Sequence, residues 1–267
     1  MQKKLSIITI CYNEPDLEKT CESIVNQTWQ DFEWIVIDGG SNQETLDIFE
    51  KYKYRIDTFI SEPDNGRYNA MNKGIKLAKC DYINFLNAGD YYTTKDILHE
   101  VISHKLDKDI IYGDINFIKD KKISVETFSK RVNLQYLYSG YIPHPSSFIK
   151  KELFEKYGLY DESYKVVADW EKWIVFFILN KCTYKHIDLA CTMFNLNGIS
   201  STNLELLQKE REIVLNKYFT PKELENFRKE KYNLTLLEQI FSVKNSQDKK
   251  HKIITIFGVK LKIRKRK

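Results

Sequence analysis

Short apolar runs separated by polar, turn-forming residues set the rhythm of the first 114 residues. Residues 5–10 (LSIITI) form a mostly apolar run, which predicts a strand buried on both faces. Leu17, Cys21, Ile24 and Val25 then recur at helical spacing. A second run, 34–37 (WIVI), ends in Asp38-Gly39-Gly40-Ser41. Ser41 and Glu44 have the spacing of a capping box, which predicts the next helix start at Ser41. A short strand is expected at 58–60. Tyr68, Met71, Ile75 and Ala78 then make one apolar helical face, and strand 82–86 follows. A helix over 96–104 and a strand at 110–112 close this half. Strands alternating with helices predict an α/β fold built on a doubly wound, mostly parallel sheet flanked by helices.

Past Asp114 the alternation loosens. Strand-like pieces at 115–118, 147–149 and 184–189 surround a helix expected over 168–179. Two further helices are expected over 204–218 and 221–241. The chain therefore reads as a main domain over 1–203, a C-terminal helical extension over 204–245 and a basic amphipathic tail over 246–267.

Charge sharpens that division. The whole chain has 42 basic and 37 acidic residues. Nine of the basic residues, and no acid, fall in 249–267, leaving 33 against 37 elsewhere, 33 − 37 = −4. An acidic body with basic residues confined to one end argues against a nucleic-acid binder. In the tail, Val259, Leu261 and Ile263 alternate with Lys260, Lys262 and Arg264. Extended, that pattern has an apolar and a cationic face and suits an anionic membrane surface. An edge strand folded onto the body, or a solubilising end, remains open. Asn13 and Glu14 end the first apolar run too early for a secretory leader, and no stretch nears the roughly 20 apolar residues of a bilayer span. The expected location is the cytoplasm, at the inner face of the cell membrane. The five cysteines show no C-x-x-C spacing and read as buried small hydrophobes. His99 and His104 are five apart, which does not put two ligands on one helix face.

Ligands of open α/β sheets bind beyond the carboxyl ends of the strands. Three such ends carry candidate groups: Thr9, Tyr12, Asn13 and Glu14; Asp38, Gly39 and Gly40; Asn87 and Asp90. Tyr12 suits stacking on a nucleotide base. Asp38 suits a base imide or a ribose hydroxyl, or else only a strand-to-helix turn. Gly39 and Gly40 permit close backbone approach.

The most informative stretch is Ser61–Gly74 (SEPDNGRYNAMNKG), followed by a strand ending in Asn87-Ala88-Gly89-Asp90. It resembles the donor-sugar region of family 2 glycosyltransferases, which have the GT-A fold. There the pattern reads roughly Glu-Pro-Asp-x-Gly-x-Tyr-Asp-Ala-Met-Asn-Lys-Gly. The resemblance runs from residue 3 to about 200 and makes 1–203 the catalytic domain. It implies an inverting transfer of a hexose from a nucleotide-diphosphate sugar, most simply a UDP-sugar, to a hydroxyl of a surface polysaccharide or lipid-linked glycan. It implies donor contacts from Asp38, Asp64, Gly66 and Asn72, and a Mg2+ or Mn2+ ion held by Asp90; by its own chemistry Arg67 suits a diphosphate or a solvated helix turn, and Asn87 can offer its carbonyl oxygen or donate to a phosphate. The chain departs from the pattern in three places. Asn69 replaces an Asp, Arg67 replaces an apolar residue, and Asn87 replaces the first acid of the usual Asp-x-Asp.

Asp169, in Val166-Val167-Ala168-Asp169-Trp170-Glu171, resembles the family segment that supplies the general base. A helix N-terminus keeps such an acid ionised, and a plain helix-start charge would look the same. Glu171 is the rival base. His144, in Pro143-His144-Pro145-Ser146-Ser147, resembles a family His-x-x-Ser segment and is expected at the diphosphate or acceptor, or in a structural role. Trp170 and Trp173 are candidates for an acceptor platform. A nucleotidyltransferase is the alternative enzyme, but the segment from Ile10 to Glu14 lacks the Gly-rich, basic character that a triphosphate needs. A catalytically weak nucleotide-sugar-binding scaffold is the other alternative.

Overall fold

The structure is a computed structural model that describes residues 4–119, 122–196, 202–229, 241–245, 251–256 and 259–264. The chain divides into two compact units, Met1–Arg211 and Glu212–Lys267.

The first unit is built on a nine-stranded mixed sheet. Strands β1 (Leu5–Cys11), β2 (Phe32–Asp38), β3 (Thr58–Ser61) and β4 (Tyr82–Phe85) are parallel, in the order β3-β2-β1-β4. All seven residues of β2 are buried, as its apolar run requires of an inner strand. The crossovers are α1 (Leu17–Val25), α2 (Gln43–Tyr52) and α3 (Arg67–Leu77). Beyond β4 the sheet changes direction. After β5 (Tyr91–Tyr92), α4 (Ile97–Ser103), β6 (Ile110–Lys119), β7 (Lys122–Glu126) and α5 (Leu134–Ser139), strand β8 (Ser147–Lys150) runs antiparallel between β4 and β6. The later elements are α6 (Lys151–Tyr157), α7 (Ala168–Trp173) and β9 (Tyr184–Met193), the last parallel to β6.

Helix α2 starts one residue later than its sequence suggests. Its N-cap is Asn42, whose side chain accepts the Thr45 N–H, so Ser41 does not close a capping box. Ser41 Oγ instead accepts the Asn13 N–H at 2.9 Å. The expected strands at 110–112 and 115–118 are one strand, β6, bent by a register irregularity around Asp114. The helix expected over 168–179 is α-helical only to Trp173 and widens into a π-helical turn over Ile174–Leu179. All five cysteines are free and buried.

Helix α8 (Leu204–Tyr218) follows, beginning in the first unit. In the second unit residues 221–229 are helical. The rest of the helix expected to 241 lies outside the described residues, and Phe241 opens a strand instead. Strands β10 (Phe241–Asn245), β11 (His251–Ile256) and β12 (Val259–Arg264) form a separate antiparallel sheet. No helix among the described residues is long and apolar enough to cross a membrane.

One contact fixes α3 on the sheet. A Cβ added at Gly74 would come within 2.5 Å of Cγ2 of Ile8, a fully buried residue of β1. Gly74 thus lets the helix that carries Arg67 and Tyr68 lie close against the strand that leads into Tyr12. Gly74→Val is expected to destabilise the protein by about 2–3 kcal/mol through overpacking, read as a lower denaturation midpoint with an unchanged m-value.

Candidate active site

The carboxyl ends of β1 and β4 open onto a cleft of about 530 Å³ whose lining includes Tyr12, Glu14, Asp64, Arg67, Asn87 and Asp90. A second cavity of about 230 Å³ is lined in part by Tyr68, His144, Asp169, Trp170 and Arg211. Both are lined by Arg67, Asn87, Asp90 and Phe194, so they adjoin. Asp90 and Asp169, 79 positions apart by their residue numbers (169 − 90), share the smaller one.

Asp90 is buried at the turn after β4. Its carbonyl accepts the Thr20 hydroxyl at 2.8 Å, which ties the turn to α1. Its Oδ1 accepts the Asn195 N–H at 2.9 Å. Burial pushes its carboxyl up to about 7; the Asn195 N–H opposes the shift, Glu14 repulsion adds to it and Arg67 opposes it. Asn87 Oδ1 is buried and has no hydrogen-bond partner among the described residues. A shielded carboxylate beside an orphaned amide oxygen is a donor set that fits a hard divalent cation. No group of three or more His, Cys, Asp or Glu side chains that could hold a metal occurs among the described residues. Ligands from a bound phosphate would complete such a site.

Arg67 opens α3 directly after Gly66 and reaches both cavities. Asp64 lines the cleft while its Oδ1 accepts the Gly66 N–H at 2.7 Å, a turn bond that presents α3. Gly39 is there for Asp64: a Cβ at Gly39 would lie 2.6 Å from Asp64 Oδ2. Tyr12 is 67% exposed on the cleft wall, with its ring free to stack. Glu14 lines the same wall and accepts the Asp16 N–H.

Asp169, in the first turn of α7, is half-buried. Its Oδ1 accepts the Tyr68 hydroxyl at 2.9 Å. Burial, and next the negative charge of Asp169, hold the Tyr68 phenol well above its ordinary value, so it remains a donor. His144 sits in a 3-10 turn, His144–Ser146, stacked on Phe85 with ring centroids 4.9 Å apart. Its Nε2 meets the Tyr160 hydroxyl at 2.8 Å. Burial lowers the imidazole pKa, with Asp169 opposing the shift, so His144 is neutral at pH 7.

Several expected donor residues are not at the cleft. Thr9 is fully buried and accepts the Trp34 indole N–H. Asn13 is exposed, with positive φ, and latches the first loop to Asn42 through its side-chain oxygen. Asp38 is fully buried: its Oδ2 accepts the Gly40 and Ser41 N–H groups and the Ser61 hydroxyl, which makes it the cap of the β2–α2 turn. Its Oδ1 has no hydrogen-bond partner among the described residues, and Asp38 lines neither of the two cavities. Gly40, with φ 83°, completes that turn against Pro63. Asn72 is buried: its Nδ2 donates to Tyr160 O and Glu162 Oε1, and its Oδ1 accepts the Tyr160 N–H, so it clamps the 160–162 loop to α3. Glu171 is buried and lines neither cavity. Trp173 is core, donating to Ile142 O, while Trp170 lines the smaller cavity.

Sequence reasoning missed Tyr68 as the partner of Asp169, Phe194 and Asn195 after β9, and Arg211 on α8. Tyr68 was assigned by periodicity to a core face, although a hydroxyl on a buried face must find an acceptor. No local signal marks the other three.

The chain matches the family model for glycosyl transferase family 2 over residues 6–158 and belongs to that family. It is 30% identical over 210 residues to a PGL/p-HBAD biosynthesis glycosyltransferase of Mycobacterium tuberculosis, covering 74% of this chain and 79% of the relative. It is 30% identical over 222 residues to an uncharacterized glycosyltransferase of Rickettsia prowazekii, covering 78% and 70%. The fold resembles that of S. aureus TarS 1–349 in complex with UDP-GlcNAc, with TM-score 0.63 and 17% identity over 84% of this chain and 70% of that one. In the UDP complex of the same protein the match spans 60% of that chain. A mannosyltransferase from Pyrobaculum calidifontis, solved with GDP-Man and Mn2+, matches with TM-score 0.52 and 17% identity over 70% and 56%. The chain is a glycosyltransferase, and its fold is that of these GT-A neighbours.

The neutral His144 has a consequence for stability. Its depressed value means the native state binds fewer protons than the unfolded chain once pH drops below the unfolded imidazole pKa. Stability present above that value is lost as pH falls towards the folded pKa. Wild type should therefore lose more stability between pH 7 and 5 than His144→Asn does, as read from urea midpoints at each pH.

Proposed function

We propose that the protein is an inverting glycosyltransferase that moves a hexose from a nucleotide-diphosphate sugar, most simply a UDP-sugar, to a hydroxyl of a cell-surface polysaccharide or lipid-linked glycan. The observation that carries the reading is the pair Asp90 and Asp169 on one cavity, adjoining a cleft that Tyr12 and Arg67 line.

In this reading the nucleotide lies in the larger cleft with its base on Tyr12. Arg67 neutralises part of the diphosphate at the junction of the two cavities. Asp90 and Asn87 would hold Mg2+ or Mn2+ together with the phosphates, and the ion supplies charge stabilisation to the departing nucleoside diphosphate. Asp169 takes the proton from the acceptor hydroxyl as that oxygen bonds to the anomeric carbon and the bond from carbon to diphosphate breaks. A single displacement of this kind inverts the anomeric centre. Tyr68 holds one oxygen of Asp169 in place and leaves the other for the acceptor. The neutral His144 hydrogen-bonds at the cavity wall without adding charge.

The test is nucleoside diphosphate release from a panel of UDP-sugars and from GDP-mannose, with and without manganese. Turnover should require the metal and fall at least a hundredfold in Asp90→Asn and in Asp169→Asn, as expected for loss of a transition-state charge or of a general base. Unchanged rates in both variants defeat the assignment and leave a binding scaffold. Asp169→Asn should keep its affinity for UDP with manganese, whereas Asp90→Asn should lose it.

The proposal extends to location, at the inner face of the cell membrane. The register of the separate sheet supports it. Phe241, Ile256 and Val259 align across the three strands, as do Val243, Ile254 and Leu261, at positions of one face. Lys244 and Lys262 flank Ile253 at positions of the other. Anionic lipid attracts each such cation by about 1 kcal/mol. Replacing Lys260, Lys262 and Arg264 with Gln should release the protein from phosphatidylserine vesicles in a pelleting assay and leave UDP affinity unchanged. Undiminished pelleting counts against the tail as the anchor.

A further inference from the structure

Two neighbouring residues of α8 act on the segment that carries Asp169. Glu210 is buried, and its two carboxylate oxygens accept the backbone N–H groups of Lys165 and Val166 at 2.8 and 2.9 Å. Arg211 lays its guanidinium over the Trp170 ring, 4.7 Å from the centroid. Its Nη2 donates to Gly140 O at 3.0 Å. Trp170 Nε1 donates to that same carbonyl and to Leu137 O. The chain is thus gripped three and four residues before Asp169 and again at the residue after it.

These are strong contacts for a loop. A carboxylate that accepts two backbone N–H groups makes two charge-assisted bonds. A guanidinium over an indole adds a cation–π attraction that strengthens with desolvation. On its other side the same stretch is held by α3, through Asn72 on Tyr160 and Glu162, Asn69 on Glu162, and Tyr68 on Asp169 itself. Asp169 lies where the two braces meet. The groups that face it are Tyr68 and Arg67 from α3, His144 from the 3-10 turn, Tyr160 from the loop before α7 and Arg211 from α8, with Asp90 across the cavity.

The state of Arg211 points the same way. Its Nε is buried with no hydrogen-bond partner among the described residues. Burial pulls its pKa down, and Asp169 is the first influence opposing this. A cation partly withdrawn from water is favoured by a nearby anion. Arg211 and Asp169 line the same cavity, so the guanidinium is a counter-charge for that acid.

We propose that Glu210 and Arg211 are positioning residues for Asp169. Glu210 fixes the backbone entering α7, and Arg211 fixes Trp170 and supplies the positive charge next to the base. The proposal rests on Asp169 acting as the base. It concerns a helix beyond the family match, which ends at residue 158.

The experiment compares Glu210→Ala, Glu210→Gln, Arg211→Met, Arg211→Lys and Asp169→Asn in the full chain. Three readouts are used: turnover of the donor found in the panel, calorimetric binding of UDP with manganese, and amide hydrogen exchange. Glu210→Ala and Arg211→Met should lower kcat at least tenfold while donor KM and UDP affinity stay within twofold. Arg211→Lys should recover part of kcat. The Lys165 and Val166 amides should exchange at least tenfold faster in Glu210→Ala, and Glu210→Gln, which keeps one acceptor, should fall between. If Asp169→Asn is inactive while the α8 variants turn over like wild type, the positioning role is overturned and the base assignment stands. If Asp169→Asn is fully active, the base assignment fails and the positioning role fails with it. Unaltered exchange of the two amides overturns the brace whatever the turnover.

Discussion

Asp90 stands in the turn after β4 with one backbone N–H on its Oδ1 and Glu14 nearby, and burial pushes its carboxyl up to about 7, above the ordinary carboxylate range. An acid held this way carries a standing cost to stability, because ionising it in the folded state is unfavourable. A divalent cation reverses that cost, since the same burial that penalises a lone anion strengthens its attraction to a cation. The orphaned Asn87 oxygen beside it has the same remedy. In the proposed reading the cleft is completed by what it binds: a diphosphate arriving with its metal would supply both the positive charge and the missing ligands.

The two ends of the proposed reaction are joined mechanically by α3. Gly74 seats that helix on β1, Arg67 faces both cavities, Tyr68 bonds Asp169 and Asn72 clamps the 160–162 loop. The donor motif is thus only partly about the donor. Tyr68, Asn69 and Asn72 bond Asp169 or the loop that leads to it, which explains why the motif spans a whole helix and not one turn. The sheet contributes through its change of direction after β4. The antiparallel β8 brings the turn carrying His144 beside Phe85, on the same wall as Asp169.

Much of the first half was legible in the sequence because each buried parallel strand is a continuous apolar run with its turn chemistry at the carboxyl end. Legibility failed where one residue type serves two purposes. Thr9 and Asn72 look like ligand contacts because polar side chains at strand and helix ends often are, yet each is spent on internal hydrogen bonds, as is one of the two carboxylate oxygens of Asp38. Ser41 and Asn42 are both good caps, and only the backbone geometry chose Asn42. Strand β6 read as two pieces because Gly113 and Asp114 interrupt its apolar pattern where the backbone bends. Glu210 and Arg211 sit more than 40 positions from the residues they hold, a spacing with no periodicity to betray it.

The pairing of Asp90 with a metal-bound donor is tested most directly by crystals soaked with UDP and manganese, read at the manganese absorption edge. An anomalous peak bonded to an Asp90 carboxylate oxygen and to the UDP phosphates, with the open side of the cavity leading to Asp169, is the expected result. UDP bound with no anomalous peak at Asp90, or a peak held by other residues, contradicts the account.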